Sequence, residues 1–308
     1  MHKLLAGVFM GWSLGSNDSA NIFGTAVYSK MIRFRTAIIL CSVFVIIGAL
    51  IEGQQGMHTL SGLVKQTANS AFIASFAAAL TVTMMTCLKL PASTSQAMVG
   101  AIIGIGLFIG DVNYSVLNMI VICWIGTPVG TVIVTIILYP FIGKILELLP
   151  INIFTRDRIL KIGLITAGSY GAYALGANNV ANVTGVFTQT GQLSIFQAAL
   201  LGGASIALGA ITYSRNVMKT VGKNLVKLDS FSAFIAVLSS AIVVHIFSKV
   251  GVPVSTSQAI IGAVLGIGLL KGAQTINLKT LFSILSGWVC SPIIAAILSY
   301  SFFSFFFG

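Results

Sequence analysis

The sequence predicts an all-α polytopic membrane protein made of two five-segment halves in inverted topology, with broken or re-entrant helices. Three observations predict it: apolar runs of membrane-spanning length recur, two motifs each appear twice at nearly constant offset, and basic residues collect in alternate loops. Of 308 residues, 56% are hydrophobic and 7% charged, a balance foreign to water-soluble domains of this size. The unbroken apolar runs exclude a β-barrel, whose strands alternate polar and apolar residues. A formal charge of +11 would suggest nucleic-acid binding in a soluble chain. Here the basic residues sit in short loops between spans, so the expected surroundings are membrane lipid, with no nucleic-acid partner.

Taken in order, apolar segments run over roughly 4–28, 36–53, 68–88, 91–110 and 114–143, then 159–187, 195–214, 230–248, 253–270 and 278–306. The start, His2-Lys3 followed by Leu4 to Leu14, imitates a secretion signal. It is expected to be retained, because the residues just beyond it have a counterpart deep in the chain. Gly15-Ser16-Asn17-Asp18-Ser19-Ala20-Asn21 returns 161 residues later as Gly176-Ala177-Asn178-Asn179-Val180-Ala181-Asn182. The offset reaches 164 at Trp124/Trp288 and Pro128/Pro292. The chain therefore reads as a duplication, a first repeat over 1–150 and a second over 151–308, joined by a charged loop at Arg156-Asp157-Arg158.

The fourth segment of each half opens with the second motif. Pro91-Ala92-Ser93-Thr94-Ser95-Gln96-Ala97 comes back as Pro253-Val254-Ser255-Thr256-Ser257-Gln258-Ala259, and residues 93–107 match 255–269 at 11 of 15 positions. Each copy reads as a proline turn, hydroxyl residues that can cap a helix, and a glycine-spaced apolar helix. From Gln96 to Gly110 the helix has 15 residues, about 22 Å long against a hydrocarbon core of about 30 Å. The serine-threonine turn is thus expected at depth, inside a hairpin. A helix start leaves N–H groups unpaired and carries partial positive charge, so two such starts suggest one anion held from two sides.

An odd number of segments per half turns the second half upside down. With the amino terminus outside, the cytoplasmic loops hold 14 of the 17 basic residues, leaving only Lys3, Lys65 and Lys249 outside. The positive-inside rule therefore supports both termini outside and an inverted repeat. Gly100/Gly104, Gly262/Gly266 and Gly126/Gly130 have the small-xxx-small spacing of tightly packed helices. Cys41, Cys87, Cys123 and Cys290 lack metal or disulfide spacing and read as packing residues.

Asp18 is the one acidic residue inside a predicted span, where a carboxylate usually marks an ion or proton path. Its neighbours Asn17 and Asn21, with Asn178, Asn179 and Asn182, offer amide oxygens, which suit a hard cation such as sodium; Asp18 could instead take a proton. The competing reading is an asparagine network that only joins two helices, and its repetition in inverted register weighs against that. Lys89 and Lys249, just before the two turns, could steer an anion or simply snorkel to the interface. His245 and His58 read as hydrogen-bonded structural residues.

With both motifs in place, the sequence resembles the inorganic phosphate transporter (PiT) family. The likeness rests on Gly-x-Asn-Asp/Asn-x-x-Asn at 15–21 and 176–182, and on Pro-x-Ser-Thr-Ser at 91–95 and 253–257. It implies cation-coupled phosphate uptake by an inverted-repeat fold that forms homodimers. By match, Ser93, Thr94, Ser95, Ser255, Thr256 and Ser257 would bind phosphate oxygens, Asp18, Asn21 and Asn182 the cation, and Asn17 and Asn178 would line the shared site. Two departures stand out: Asn179 replaces an aspartate common in the family, implying fewer bound cations or weaker cation dependence, and Gln96 and Gln258 stand where histidine is frequent. Asn179 is retained among the cation ligands and both glutamines among the substrate-binding residues.

The leading reading is a secondary transporter in the plasma membrane that takes up inorganic phosphate with sodium or, less favoured, protons. Sodium is needed as coupling ion and no other cofactor. A sulfate or other oxyanion permease is the rival within the class. An enzyme acting on a phosphorylated lipid is the rival outside it, disfavoured because no Ser/His/Asp arrangement, metal-ligand cluster or intramembrane acid-base pair is visible.

Overall fold

Capping residues, not the apolar runs themselves, decide where the helices begin. The computed structural model describes residues 2–88, 92–215, 217, 218, 228–272 and 277–307. Lys89 and Pro91 of the first turn, and Lys219, Lys223 and Lys227 of the basic loops, lie outside the described residues. In chain order the helices are α1 (Leu4–Tyr28), α2 (Phe34–Glu52), α3 (Gln54–Ser61), α4 (Ala68–Cys87), α5 (Thr94–Ile109) and α6 (Tyr114–Leu148). Then come α7 (Ile153–Val180), α8 (Ile195–Thr212), α9 (Ser230–Val250), α10 (Thr256–Lys271) and α11 (Leu278–Phe307). A π-helical turn, Ala181–Gly185, and a last turn, Val186–Gln189, prolong α7. Thr67 and Ser70 cap α4 reciprocally, as Ser194 and Gln197 do α8, while Asn113, Asn152 and Asp229 accept backbone N–H bonds at the starts of α6, α7 and α9. Gly110 and Gly251 end α5 and α9 at φ of 72° and 83°, a conformation that costs glycine nothing.

The chain is a multi-pass membrane protein. Among the described residues, six helices are long and apolar enough to span a membrane, and α5 and α10 are shorter apolar helices. Ile122, Ile125, Val129, Ile133 and Ile137 of α6 and Val289, Ile293 and Ile297 of α11 are exposed, an apolar surface of the kind lipid covers. Two details depart from expectation. The charged stretch 156–158 is no loop: Asn152 caps α7 ahead of it, so its charges ride on the first turns of that helix. Of the cysteines, Cys41 is fully buried in the core, whereas Cys87 and Cys290 are exposed.

Glycines set the closest helix crossings, and the crossings come in pairs. A Cβ at Gly15 of α1 would lie 1.9 Å from the Ile206 carbonyl oxygen of α8, and one at Gly176 of α7 would lie 2.0 Å from the Val45 carbonyl oxygen of α2. Gly48 likewise meets Tyr173 at 2.0 Å and Gly209 meets Trp12 at 2.1 Å. Each of these positions has its partner 161 residues away. Gly100 and Gly104 press α5 onto Pro292 and Ala296 of α11 at 2.2 Å, as Gly262 presses α10 onto Pro128 of α6 at 2.5 Å. Gly126 and Gly130 do not behave this way: a Cβ there would meet only Phe247 at 3.4 Å and Val243 at 3.8 Å, ordinary contact.

Candidate functional site

Two helix starts carry the hydroxyls to the middle of the molecule. Ser93, extended at φ −105° and ψ 113°, caps α5 by accepting from Gln96 N at 3.3 Å; Ser255 caps α10 by accepting from Gln258 N at 3.3 Å. The two tips touch. Ser95 Oγ lies 2.8 Å from the Val254 carbonyl oxygen, and Ser257 Oγ lies 3.4 Å from that of Ala92, so each tip donates to the backbone just ahead of the other's cap. Ser255 and Ser257 hydroxyls are also 2.8 Å apart. Both capping serines, Thr94, Ser95, Thr256, Gln96 and Gln258 are buried, and Ser257 is half-buried.

The asparagine-rich segments of α1 and α7 close around these tips. Thr94 Oγ1 donates to Asp18 Oδ2 at 2.7 Å, Asn21 Nδ2 reaches Asp18 Oδ1 at 3.4 Å, and Thr256 faces the same carboxylate. On the α7 side, Asn179 Oδ1 accepts from Ser95 Oγ at 2.8 Å and from Asn182 Nδ2 at 2.9 Å, and Asn182 Nδ2 also donates to Ser95 Oγ at 2.9 Å. Asn178 clamps the turn before α10, donating to Val252 O at 3.0 Å and accepting from Val254 N at 2.8 Å. Asn17 does not reproduce that clamp: its Nδ2 donates to Thr86 Oγ1 of α4 at 3.0 Å. Among the described residues of the site, the buried side-chain atoms without a hydrogen-bond partner are Gln96 Oε1, Gln258 Oε1, Thr256 Oγ1, Asn179 Nδ2 and Asn182 Oδ1.

All fourteen residues singled out from the sequence thus fall on four segments, 17–21, 93–96, 178–182 and 254–258, tied by direct hydrogen bonds. Chemically the assembly joins two helix starts, suited to the oxygens of an anion, to one carboxylate and several amide oxygens, suited to a hard cation. Sequence reasoning missed Thr86 and the carbonyls of Ala92, Val252 and Val254. Backbone acceptors carry no sequence signal, and Thr86 sits unmarked in an apolar run.

Lys249 is not free to steer an anion. Its Nζ pairs with Glu52 Oε1 at 2.8 Å, while Glu52 Oε2 meets His245 Nε2 at 2.8 Å and His245 Nδ1 meets the Tyr170 hydroxyl at 2.8 Å. A small cleft reaches the site from one side, lined by Asn21, Ile22, Gly171, Ser240, Ala241, Val244 and Thr256. The residues at the matching offsets, Asn182, Val183, Met10, Ala78, Ala79, Val82 and Thr94, are all buried.

Comparison with known proteins shows which sequences and folds the chain is similar to. The chain is 34% identical to a protein of Methanocaldococcus jannaschii described as a candidate phosphate permease, over 97% of this chain and 95% of that one. It is 31% identical to a sulfate permease of Bacillus subtilis, over 98% and 87% of the two chains. A solved structure described as a sodium-dependent phosphate transporter superposes with a TM-score of 0.86 over 99% of both chains, at 23% identity, a likeness of fold. The family model of the phosphate transporters matches residues 14–299, which include all four site segments. By that match this chain belongs to the phosphate transporter family.

Proposed function

We propose that this chain is a secondary transporter that takes up inorganic phosphate together with a cation, sodium before protons, across the plasma membrane. The observation that carries the reading is the 2.7 Å bond between Thr94 Oγ1 and Asp18 Oδ2, which ties the tip of α5 to the buried carboxylate of α1. An anion about 4 Å from that carboxylate would be disfavoured by about 4 kcal/mol at an effective dielectric of 20. A cation between them reverses the sign, so entry of one favours entry of the other. Ser93, Thr94, Ser95, Gln96, Ser255, Thr256, Ser257 and Gln258, with Asn17 and Asn178, form the anion side. Asp18, Asn21, Asn179 and Asn182 form the cation side.

The paired glycine crossings support two repeats, over 1–150 and 151–308, and the loop charges support inverted topology with both termini outside. The exposed faces of α6 and α11 fit lipid and a second copy of the chain. The Bacillus subtilis relative supports a second reading, a sulfate permease built on the same site. Labelled phosphate and sulfate uptake into vesicles under separate sodium and proton gradients decides among these. Phosphate accumulation driven by sodium is expected; uptake of sulfate alone, or uptake indifferent to both gradients, would replace the proposal.

A further inference from the structure

Asp18 and Asn179 occupy matching places in the two repeats of the sequence, yet one is a carboxylate and the other an amide. The orientation of that amide is coupled to its neighbour's. Asn182 Nδ2 lies 2.9 Å from Asn179 Oδ1, so exchanging the oxygen and nitrogen of Asn179 alone would set donor against donor there, while Ser95 Oγ, at 2.8 Å, has one proton to share between Asn179 Oδ1 and Val254 O. Its Nδ2 is therefore the free edge, in a side chain with no exposed surface, and it has no partner. Asn182 is the complement. Its Nδ2 serves both Ser95 Oγ and Asn179 Oδ1, which leaves its Oδ1 buried and unpartnered. Burying a donor and an acceptor unmade is costly, so each is suited to a ligand.

We infer that Asn179 is an anion-binding residue, its Nδ2 donating to an oxygen of the oxyanion held by the two hydroxyl tips, while Asn182 Oδ1 faces the coupling cation. This reassigns Asn179 from the cation side, and it rests on the transport reading above. A carboxylate at 179 would present only acceptors and would repel the anion unless a further cation came between them. The amide removes that requirement. The second repeat therefore contributes a donor to the anion where the first contributes a negative charge to the cation, and the anion travels with one cation fewer than two carboxylates would demand.

The test uses the purified full-length chain, wild type, Asn179→Asp and Asn179→Leu, with two readouts: labelled phosphate or sulfate uptake into proteoliposomes, and thermal stabilisation by inorganic phosphate or sulfate in sodium buffer. For Asn179→Leu, half-saturation by the anion at saturating sodium should rise roughly ten-fold or more, with the sodium Hill coefficient unchanged. For Asn179→Asp, the sodium Hill coefficient should rise by about one, as a second carboxylate recruits its own cation. Wild-type anion half-saturation in Asn179→Leu, or a lowered sodium Hill coefficient there, would overturn the assignment, the latter by showing a cation ligand. Should the leucine variant not fold, Asn179→Asp decides alone: an unchanged sodium Hill coefficient overturns the inference. If wild type moves neither anion, the transport reading fails, and the stabilisation readout still judges Asn179. Stabilisation of wild type by either anion that is lost in Asn179→Leu supports it, and equal stabilisation of both proteins, or none of wild type, refutes it.

Discussion

Asp18 is almost wholly buried and accepts from Thr94, so its charge and its shape can be separated by substitution. Asp18→Asn keeps the volume and an acceptor for the Thr94 hydroxyl but removes the charge proposed to hold a cation. Cation-driven accumulation should vanish while the protein remains folded by gel filtration and circular dichroism; full uptake by this variant would take Asp18 out of the mechanism. Thr94→Val and Thr256→Val keep the branched shape and lose the hydroxyl. Anion half-saturation should rise roughly ten-fold for Thr94→Val, the scale of a hydrogen bond to a charged group, and an unchanged value in both variants would remove the tips from binding. The repeated spacing located these residues but not their partners. Matching offsets pair Asp18 with Thr94 and would pair Asn179 with Thr256, yet Asn179 reaches across to Ser95 of the other tip. Sequence spacing orders residues along one helix, whereas this choice depends on how closely the two tips approach.

At the scale of elements, caps and glycines carried unequal information. The hydroxyl caps of α5 and α10 were readable because an N-cap is a local device, three residues from serine to backbone N–H. Of the three glycine pairs picked out by spacing, two are tight. Spacing passed over Gly15, Gly48, Gly176 and Gly209, which make closer crossings than Gly126 and Gly130, because closeness belongs to the partner helix and not to the spacing, even where Gly7, Gly11 and Gly15 repeat every four residues. The difference yields a paired experiment. Gly15→Ala would set a Cβ 1.9 Å from a backbone oxygen that cannot swing aside, and should destabilise by about 1–3 kcal/mol with repacking of α1 on α8. Gly126→Ala meets only the edge of a phenylalanine ring at 3.4 Å and should change the melting temperature in detergent little. Equal melting temperatures for the two variants would contradict the crossing.

For the whole molecule, the cleft at Asn21 and Thr256 breaks the reciprocity that the glycine crossings keep. Gly171 lines it, where the matching position holds Met10, fully buried. Gly171→Met should fill the cleft, since a Cβ there already stands 3.2 Å from Ile22 and points toward Ala241 at 3.7 Å. The initial uptake rate should fall roughly ten-fold while anion-dependent thermal stabilisation persists, separating passage from binding. An unchanged rate would show that the cleft is not on the route.

The glycine crossings carry one more consequence. Close backbone contact resists sliding: the crossings above join α1 to α8 and α2 to α7, and a Cβ at Gly203 of α8 would meet Ile46 Cα of α2 at 3.2 Å, so α1, α2, α7 and α8 form one block, α5 with α11 a second, and α10 with α6 a third. The carboxylate and amides belong to the first block and the hydroxyls to the other two. The fault line between blocks therefore runs through the cluster proposed above to hold the ions, where a bound anion and cation would serve as the mortar that draws the blocks together.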